Sequence, residues 1–427
     1  VVTLCSLLVV LVALLALSSP YTPFAAGLDL QPGRVLSPLY TYLFRNALMN
    51  SVLLLVGVYL LCLLIGWTWA VTGITPMLRP LLLLPLLMPG ALSGLLWRPF
   101  FAGWLDLAQA ELSLLFTALV MLWRIVPLAA WHFSLDRDNW PRFIPLCALL
   151  VLLDGDLVLT LTRGEPFNAG HTWSSWIVQQ LWVSRAWGYA AAMAGALTLV
   201  VALMTLWASR PTSPSKPPST PPSTGIPHGS PLGDYAIFFW IAGPLLWPLW
   251  LFIQAPWQAI DTLVANGWLL WLVNGALLWG GVTWLVMRLS WPLREGRARQ
   301  ITRIVTLAML PITLVAIAYL AHQLPLLRSR FVLLSLLSLF AAGLWMGGDR
   351  PAAGRAQWRK AAGYAALVLA NTLPLQLVTR LPAFAWTPSL GTLWTLAEAP
   401  HATAALGASL LLYGLWAGLA AWLLADN

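Results

Sequence analysis

Asp156-Leu-Val-Leu-Thr-Leu-Thr162-Arg-Gly164-Glu-Pro166-Phe-Asn168 closes one apolar helix and turns sharply on Gly and Pro. Glycine supplies positive φ and proline presets its own φ, so this pairing marks a tight exit from a helix. A further helix is expected to begin near Trp173. Upstream, Leu-rich runs build towards this turn; beyond Pro211 the chain repeats the same plan in a weaker form.

Composition says what those runs are. The 427 residues are 60% hydrophobic and 9% charged, with a mean hydropathy of +0.79, and no water-soluble core of this size hides so much apolar surface. The chain is expected to be an all-α, polytopic membrane protein, because lipid leaves the backbone only helices or closed barrels and the runs lack period-2 alternation. The net charge of +9 fits basic cytoplasmic loops better than nucleic acid, and no nucleic-acid partner is expected. Cys5, Cys62 and Cys147 sit in apolar runs without a CxxC or clustered His, which argues against disulfides and metal ligation. No cofactor is expected. The 27 Trp residues are read as interfacial anchors and helix packing, with stacking on a flat solute such as a sugar as the sharper option.

The chain opens on Val, so its start is expected to lie upstream, and residues 1–19 read as either a mature membrane helix or an uncleaved signal sequence. Further spans are expected at roughly 47–70, 78–98, 112–133, 143–162 and 186–208, completing a first six-helix half over 1–208. Residues 209–233 are rich in Pro, Ser and Thr and read as a linker. Spans at about 234–254, 265–288, 302–322, 330–347, 361–379 and 404–424 form a second half over 234–427, giving about twelve in all.

With the linker placed in the cytoplasm, the inner loops carry Arg79, Arg137, Arg142, Arg210, Lys216, Arg288, Arg294, Arg297, Arg299, Arg303, Arg350, Arg355, Arg359 and Lys360. The outer loops carry only Arg34, Arg45, Arg98, Arg163, Arg185, Arg328, Arg330 and Arg380. The excess of inner charge orients the chain with linker and C-terminus cytoplasmic, in a bacterial-type inner (plasma) membrane. The cluster from Arg288 to Arg303 reads as an inside marker that also suits anionic lipid or an acidic partner.

Arg79, Pro85, Pro89 and Trp97 form a basic residue, an apolar run with two prolines, and a Trp; Asp156, Thr162, Gly164, Pro166 and Asn168 form an Asp-x5-Thr-x-Gly-x-Pro-x-Asn run. On these motifs, and on the small-residue helix start Gly188-Tyr-Ala-Ala-Ala192, residues 40–208 resemble the permease subunits of carbohydrate-type, maltose-transporter-like ABC importers. Glu165 stands where the family has a second Gly. The resemblance implies a fused pair of permeases moving a sugar or sugar-like solute, with separate ATPase subunits and an extracytoplasmic solute-binding protein as partners. The second half shares the helix count and an Asn274 near the start of a span.

The family's cytoplasmic Glu-Ala-Ala loop, which docks into the ATPase, is degenerate in both halves. In the first half only Ser134 to Arg142 is available, including Asp136, Arg137 and Asp138. One helical turn alone uses about 3.6 residues, so a docking helix with two connections does not fit there. In the second half, Arg355-Ala-Gln357 stands where Glu-Ala-Ala belongs, followed by Arg359 and Lys360, so a base replaces the acid. These residues are the candidate partner-docking loops.

Arg124, Asp154 and Asp156 lie within expected spans, where an isolated charge is costly. Counted from the inner helix ends, Arg124 and Asp154 differ in depth by roughly 3 Å, which suits an ion pair between adjacent helices. It serves either as a polar element beside a solute path or as a neutralising pair that fixes helix packing. The Gly164-Glu-Pro166 turn is a tight membrane exit or a hinge at the outer mouth. Gly188, Ala192 and Gly195 suggest close helix packing. His132 and His171 lack ligand-spaced companions and read as ordinary interfacial residues.

The chain has no Gly-x4-Gly-Lys-Ser/Thr motif and no acid/base or metal constellation at membrane depth, so it is not expected to be an enzyme. Two readings remain: a fused importer permease, or a permease-derived scaffold subunit of a larger membrane complex that no longer transports.

Overall fold

The computed structural model describes residues 42–72, 82, 84–88, 90–105, 110–135, 140–162, 164, 170–182, 184, 186–208, 231–254, 311–312, 315, 359, 363, 366 and 403–424. The described chain is helical, with no strand among these residues. Its helices are α1 (Tyr42–Thr72), α2 (Leu84–Leu87), α3 (Gly90–Leu105), α4 (Ala110–Leu135), α5 (Trp140–Leu153), α6 (Gly155–Leu161), α7 (Trp173–Trp182), α8 (Trp187–Ala208), α9 (Pro231–Gln254) and α10 (Thr403–Leu424).

Tyr42–Val71, Leu112–Ser134 and Gly188–Ala208 are each long and apolar enough to cross a membrane. A fourth crossing is available if Phe143–Leu153 and Gly155–Leu161, bent by 48° at Asp154, count as one broken span. This amends the continuous helix expected over 143–162. The expected span 78–98 also differs: its described part is the single turn α2, then a separate α3 that runs on to Leu105. Pro89 accounts for the interruption, since it offers no N–H to the carbonyl of Pro85 four residues back. The expected spans 234–254 and 404–424 correspond to α9 and α10. Those at 1–19, 265–288 and 330–347, and nearly all of 302–322 and 361–379, lie outside the described residues, as does the linker apart from its last few residues.

The core forms where α1 lies along α4 and α5. Leu54, Val58 and Cys62 of α1 bury against Val120, Met121 and Ile125 of α4 and Cys147 and Val151 of α5. The opposite side of α1 keeps Val52, Leu53, Val56, Leu60 and Leu64 exposed, as expected of a face that meets lipid. Cys62 and Cys147 are both buried free thiols. A second cluster joins α5, α7 and α8 through Leu149, Trp173, Ile177, Ala190 and Leu197.

Close backbone approach occurs elsewhere than the sequence suggested. At Gly195 no atom lies within 4 Å of where a Cβ would sit, so that one position of the expected Gly188/Ala192/Gly195 stripe makes no close contact. Close contact is seen between α1 and α4, where a Cβ on Gly66 would lie 2.6 Å from the Ala129 Cβ, and between α3 and α6. A Cβ on Gly94 would collide with Thr160 Oγ1 and come within 2.8 Å of the Leu157 carbonyl oxygen, so only a glycine lets these two short helices touch.

Candidate functional site

Two interrupted helices meet a single arginine. Arg124 sits near the midpoint of the apolar stretch of α4 and is 8% exposed. Its guanidinium forms an ion pair with Asp154 at the α5–α6 break. The remaining donors turn the other way, towards the α2–α3 break. Arg124 Nε donates to the Pro85 carbonyl (3.3 Å), and Nη2 donates to the carbonyls of Met88 (2.8 Å) and Leu86 (3.4 Å).

These carbonyls need partners for a local reason. Pro89 has no N–H for Pro85, and the chain leaves helical geometry after Leu87. Away from water each unsatisfied backbone group costs several kcal/mol, so irregular backbone survives at this depth only where protein groups fill it. The planar fork of arginine, with five donors, serves several acceptors at once. A lysine would not span the same set.

Asp154 occupies the N-cap position of α6, yet its side chain makes no capping bond and is committed to Arg124. Asp156 lies in the first turn of α6, where a carboxylate faces the positive end of the helix dipole. Both carboxyls converge on Gly90, the first residue of α3. A Cβ there would collide with Asp154 Oδ1 and lie 2.6 Å from Asp156 Oδ1. Thus Arg124, Asp154 and Asp156, singled out from sequence, are brought into one locus. Gly90 was not foreseen, though a glycine one residue after Pro89 is a visible sign of a break.

A distant helix, α10, reaches this locus through Tyr413, whose hydroxyl donates to the Leu84 carbonyl at 2.5 Å. Leu84 O also accepts from the Met88 amide at 3.2 Å, so the turn is held from within and from outside. Nothing in the local sequence of α10 marks Tyr413 beyond its being a polar tip in an apolar run.

The Asp–Pro stretch closes α6 by side-chain and backbone bonds. Thr162 Oγ1 donates to the Val158 carbonyl (3.1 Å) and accepts from the Gly164 amide (3.3 Å). Gly164 adopts φ +73°, which glycine enters freely, and Gly170 N donates back to Gly164 O (3.1 Å). A side chain at 164 would collide with the imidazole of His171. Glu165, Pro166 and Asn168 of the same motif lie outside the described residues.

His171 is therefore buried, at 1% exposure, and not interfacial as expected. Its Nδ1 is 3.1 Å from Ser175 Oγ, and Ser175 Oγ accepts from the Thr172 amide (2.8 Å), a side chain in the first turn of α7 reaching back to the residue before it. Asn50 and Ser51 of α1 complete the network. Asn50 Nδ2 donates to the His171 carbonyl (2.9 Å), and Ser51 Oγ accepts from the Trp173 amide (2.8 Å). The α7 start is thereby pinned to α1. The adjacent polar pair Asn50-Ser51 inside an apolar run was the available signal. Burial in this apolar setting pushes the imidazole down to about 4.

Of the docking-loop residues, Asp136, Arg137 and Asp138, and Arg355, Gln357 and Lys360, lie outside the described residues. Arg142 falls in the first turn of α5. Arg359 lies against the end of α10: Nη2 donates to the Trp422 carbonyl (2.9 Å), and its guanidinium carbon lies 5.4 Å from the Trp422 ring centroid. A cation at the last turn of α10 meets the negative end of that helix. The described indoles divide: Trp97 stacks on Phe101 with centroids 5.6 Å apart, and Trp123, Trp173 and Trp176 are buried, whereas Trp67, Trp140, Trp207, Trp250 and Trp422 are exposed. Among the described residues no group of three or more His, Cys, Asp or Glu is placed to hold a metal.

The fold and locus define a helical chain with membrane-length apolar helices and a charged break between two shorter ones. No protein-family model, curated protein or solved structure matches the chain.

Proposed function

We propose that the chain is a fused transmembrane permease of a binding-protein-dependent ABC importer for a sugar or sugar-like solute, driven by separate ATPase subunits. The observation that carries this reading is the meeting of two discontinuous helices at Arg124, Asp154 and Gly90. Broken helices that expose polar groups near the middle of an apolar bundle are the usual material of solute and ion paths, and a continuous span would serve a purely structural bundle at lower cost. The motif residues quoted above support the choice of family.

The scaffold reading has its own observation. α4 ends at Leu135 and α5 begins at Trp140, so four residues connect them. That connection has no room for an ATPase-docking helix. On this reading the break at Arg124 is a fully satisfied packing joint within a larger membrane complex.

A mild-detergent pull-down of the full chain from native membranes, with mass spectrometry of the co-purifying proteins, separates the two. An ATPase subunit at near-stoichiometric yield, accompanied by ATP-dependent uptake in reconstituted vesicles, is the expected result. Recovery of a different membrane complex without an ATPase would replace the permease reading with the scaffold.

A further inference from the structure

Trp123 and Trp240 exchange hydrogen bonds across the contact between α4 and α9. The indole Nε1 of Trp123 donates to the Trp240 carbonyl at 2.9 Å, and that of Trp240 donates to the Trp123 carbonyl at 3.3 Å. In an uninterrupted helix each of those carbonyls would accept from the amide four residues on. Here residue 127 is Pro and residue 244 is Pro, so neither amide has a hydrogen to give. Both halves thus carry the same Trp-x3-Pro spelling: the proline vacates the carbonyl of its own tryptophan, and the tryptophan of the opposite helix fills it.

We propose that this crossed Trp-x3-Pro pair is the register key of the interface between the two halves, each proline creating the acceptor that the other half's indole recognises. Apolar packing alone does not fix how far α9 slides or rotates along α4, because apolar contact is non-directional. The crossed pair does, since both hydrogen bonds form together only in one register. The surroundings support such a lock. The Trp240 ring meets Trp69 edge-on with centroids 5.5 Å apart, and Ile237 and Ile241 bury against Ala130 and Leu82. The Pro85 carbonyl, vacated by Pro89, is filled from another helix in the same way, by Arg124. The proposal holds for a transporter and for a scaffold alike, so it stands or falls apart from the functional reading.

Crosswise rescue tests it. With a protease site placed in the 209–233 linker and cut after purification, dissociation of the two halves in detergent is followed on a sizing column, and the thermal midpoint of the uncut chain is measured alongside. Trp240→Phe leaves the Trp123 carbonyl unfilled and is expected to weaken association roughly tenfold. Adding Pro127→Ala returns an N–H to that carbonyl and is expected to recover most of the loss. Trp123→Phe is expected to be recovered by Pro244→Ala, and neither loss by the non-partner Pro145→Ala. Unchanged association in Trp240→Phe, or equal recovery by Pro145→Ala, overturns the proposal. If Trp240→Phe fails to fold, the thermal midpoint of Trp123→Phe with and without Pro244→Ala decides the question in the other direction.

Discussion

Arg124 and Asp154 join the breaks of two separate helices through one ion pair. Asp154 stands where α5 gives way to α6, and Arg124 carries the other end of the link onto the open carbonyls after α2. Neither residue is near the other in sequence, and both would be costly alone. Together they let two kinked segments pack with their charges paired and the Pro85, Leu86 and Met88 carbonyls filled.

Arg124→Leu is expected to destabilise the protein by about 3–5 kcal/mol, since it leaves a buried carboxyl and several carbonyls without donors. Arg124→Lys should recover only part of this, because an ammonium lacks the planar fork. Thermal unfolding and yield in a fixed detergent measure both; unchanged values for Arg124→Leu would remove the pair from the account of stability.

Gly90→Ala is expected to cost about 1–3 kcal/mol, because the added methyl falls onto the Asp154 and Asp156 oxygens. Gly57→Ala is the matched control. No atom lies within 4 Å of its Cβ position, so that variant should be neutral or slightly stabilised by helix propensity. Equal midpoints for the two variants would mean that α3 and α6 are not in close contact.

His171 makes stability depend on acid. Its buried imidazole titrates near 4, below the ordinary 6.5, so the neutral form is preferred in the folded state. The stabilisation is whole above about pH 6.5 and is lost as pH falls towards 4, at about 1.4 kcal/mol per pH unit for this one group. Comparing the thermal midpoint of the native chain and His171→Asn between pH 7 and pH 4.5 isolates it. The native chain should lose more than the variant over that interval, and parallel curves would place His171 in a solvated setting.

Cutting the chain within residues 209–233 is expected to leave the two fragments associated, with α9 and α10 held against α4 and α2 by the Trp123–Trp240 bonds and by Tyr413 on Leu84. A sizing column run in mild detergent after cleavage should show one peak containing both fragments. Two separated peaks would contradict this.

The sequence carries helical, membrane-type character, because composition and hydropathic run length act through bulk transfer free energy and need no partner. It also determined the turn after Thr162, since Gly164 enters positive φ for reasons local to its own backbone. The matching depths of Arg124 and Asp154 were legible from helical rise alone. Tertiary structure decided the rest: the bend at Asp154, the carbonyls that share Arg124, the burial of His171, and the glycines that carry close contact. A proline announces in the sequence which carbonyl it vacates, four residues back. Which side chain fills that carbonyl is a property of neighbouring helices, and only packing places Trp240 or Tyr413 within reach.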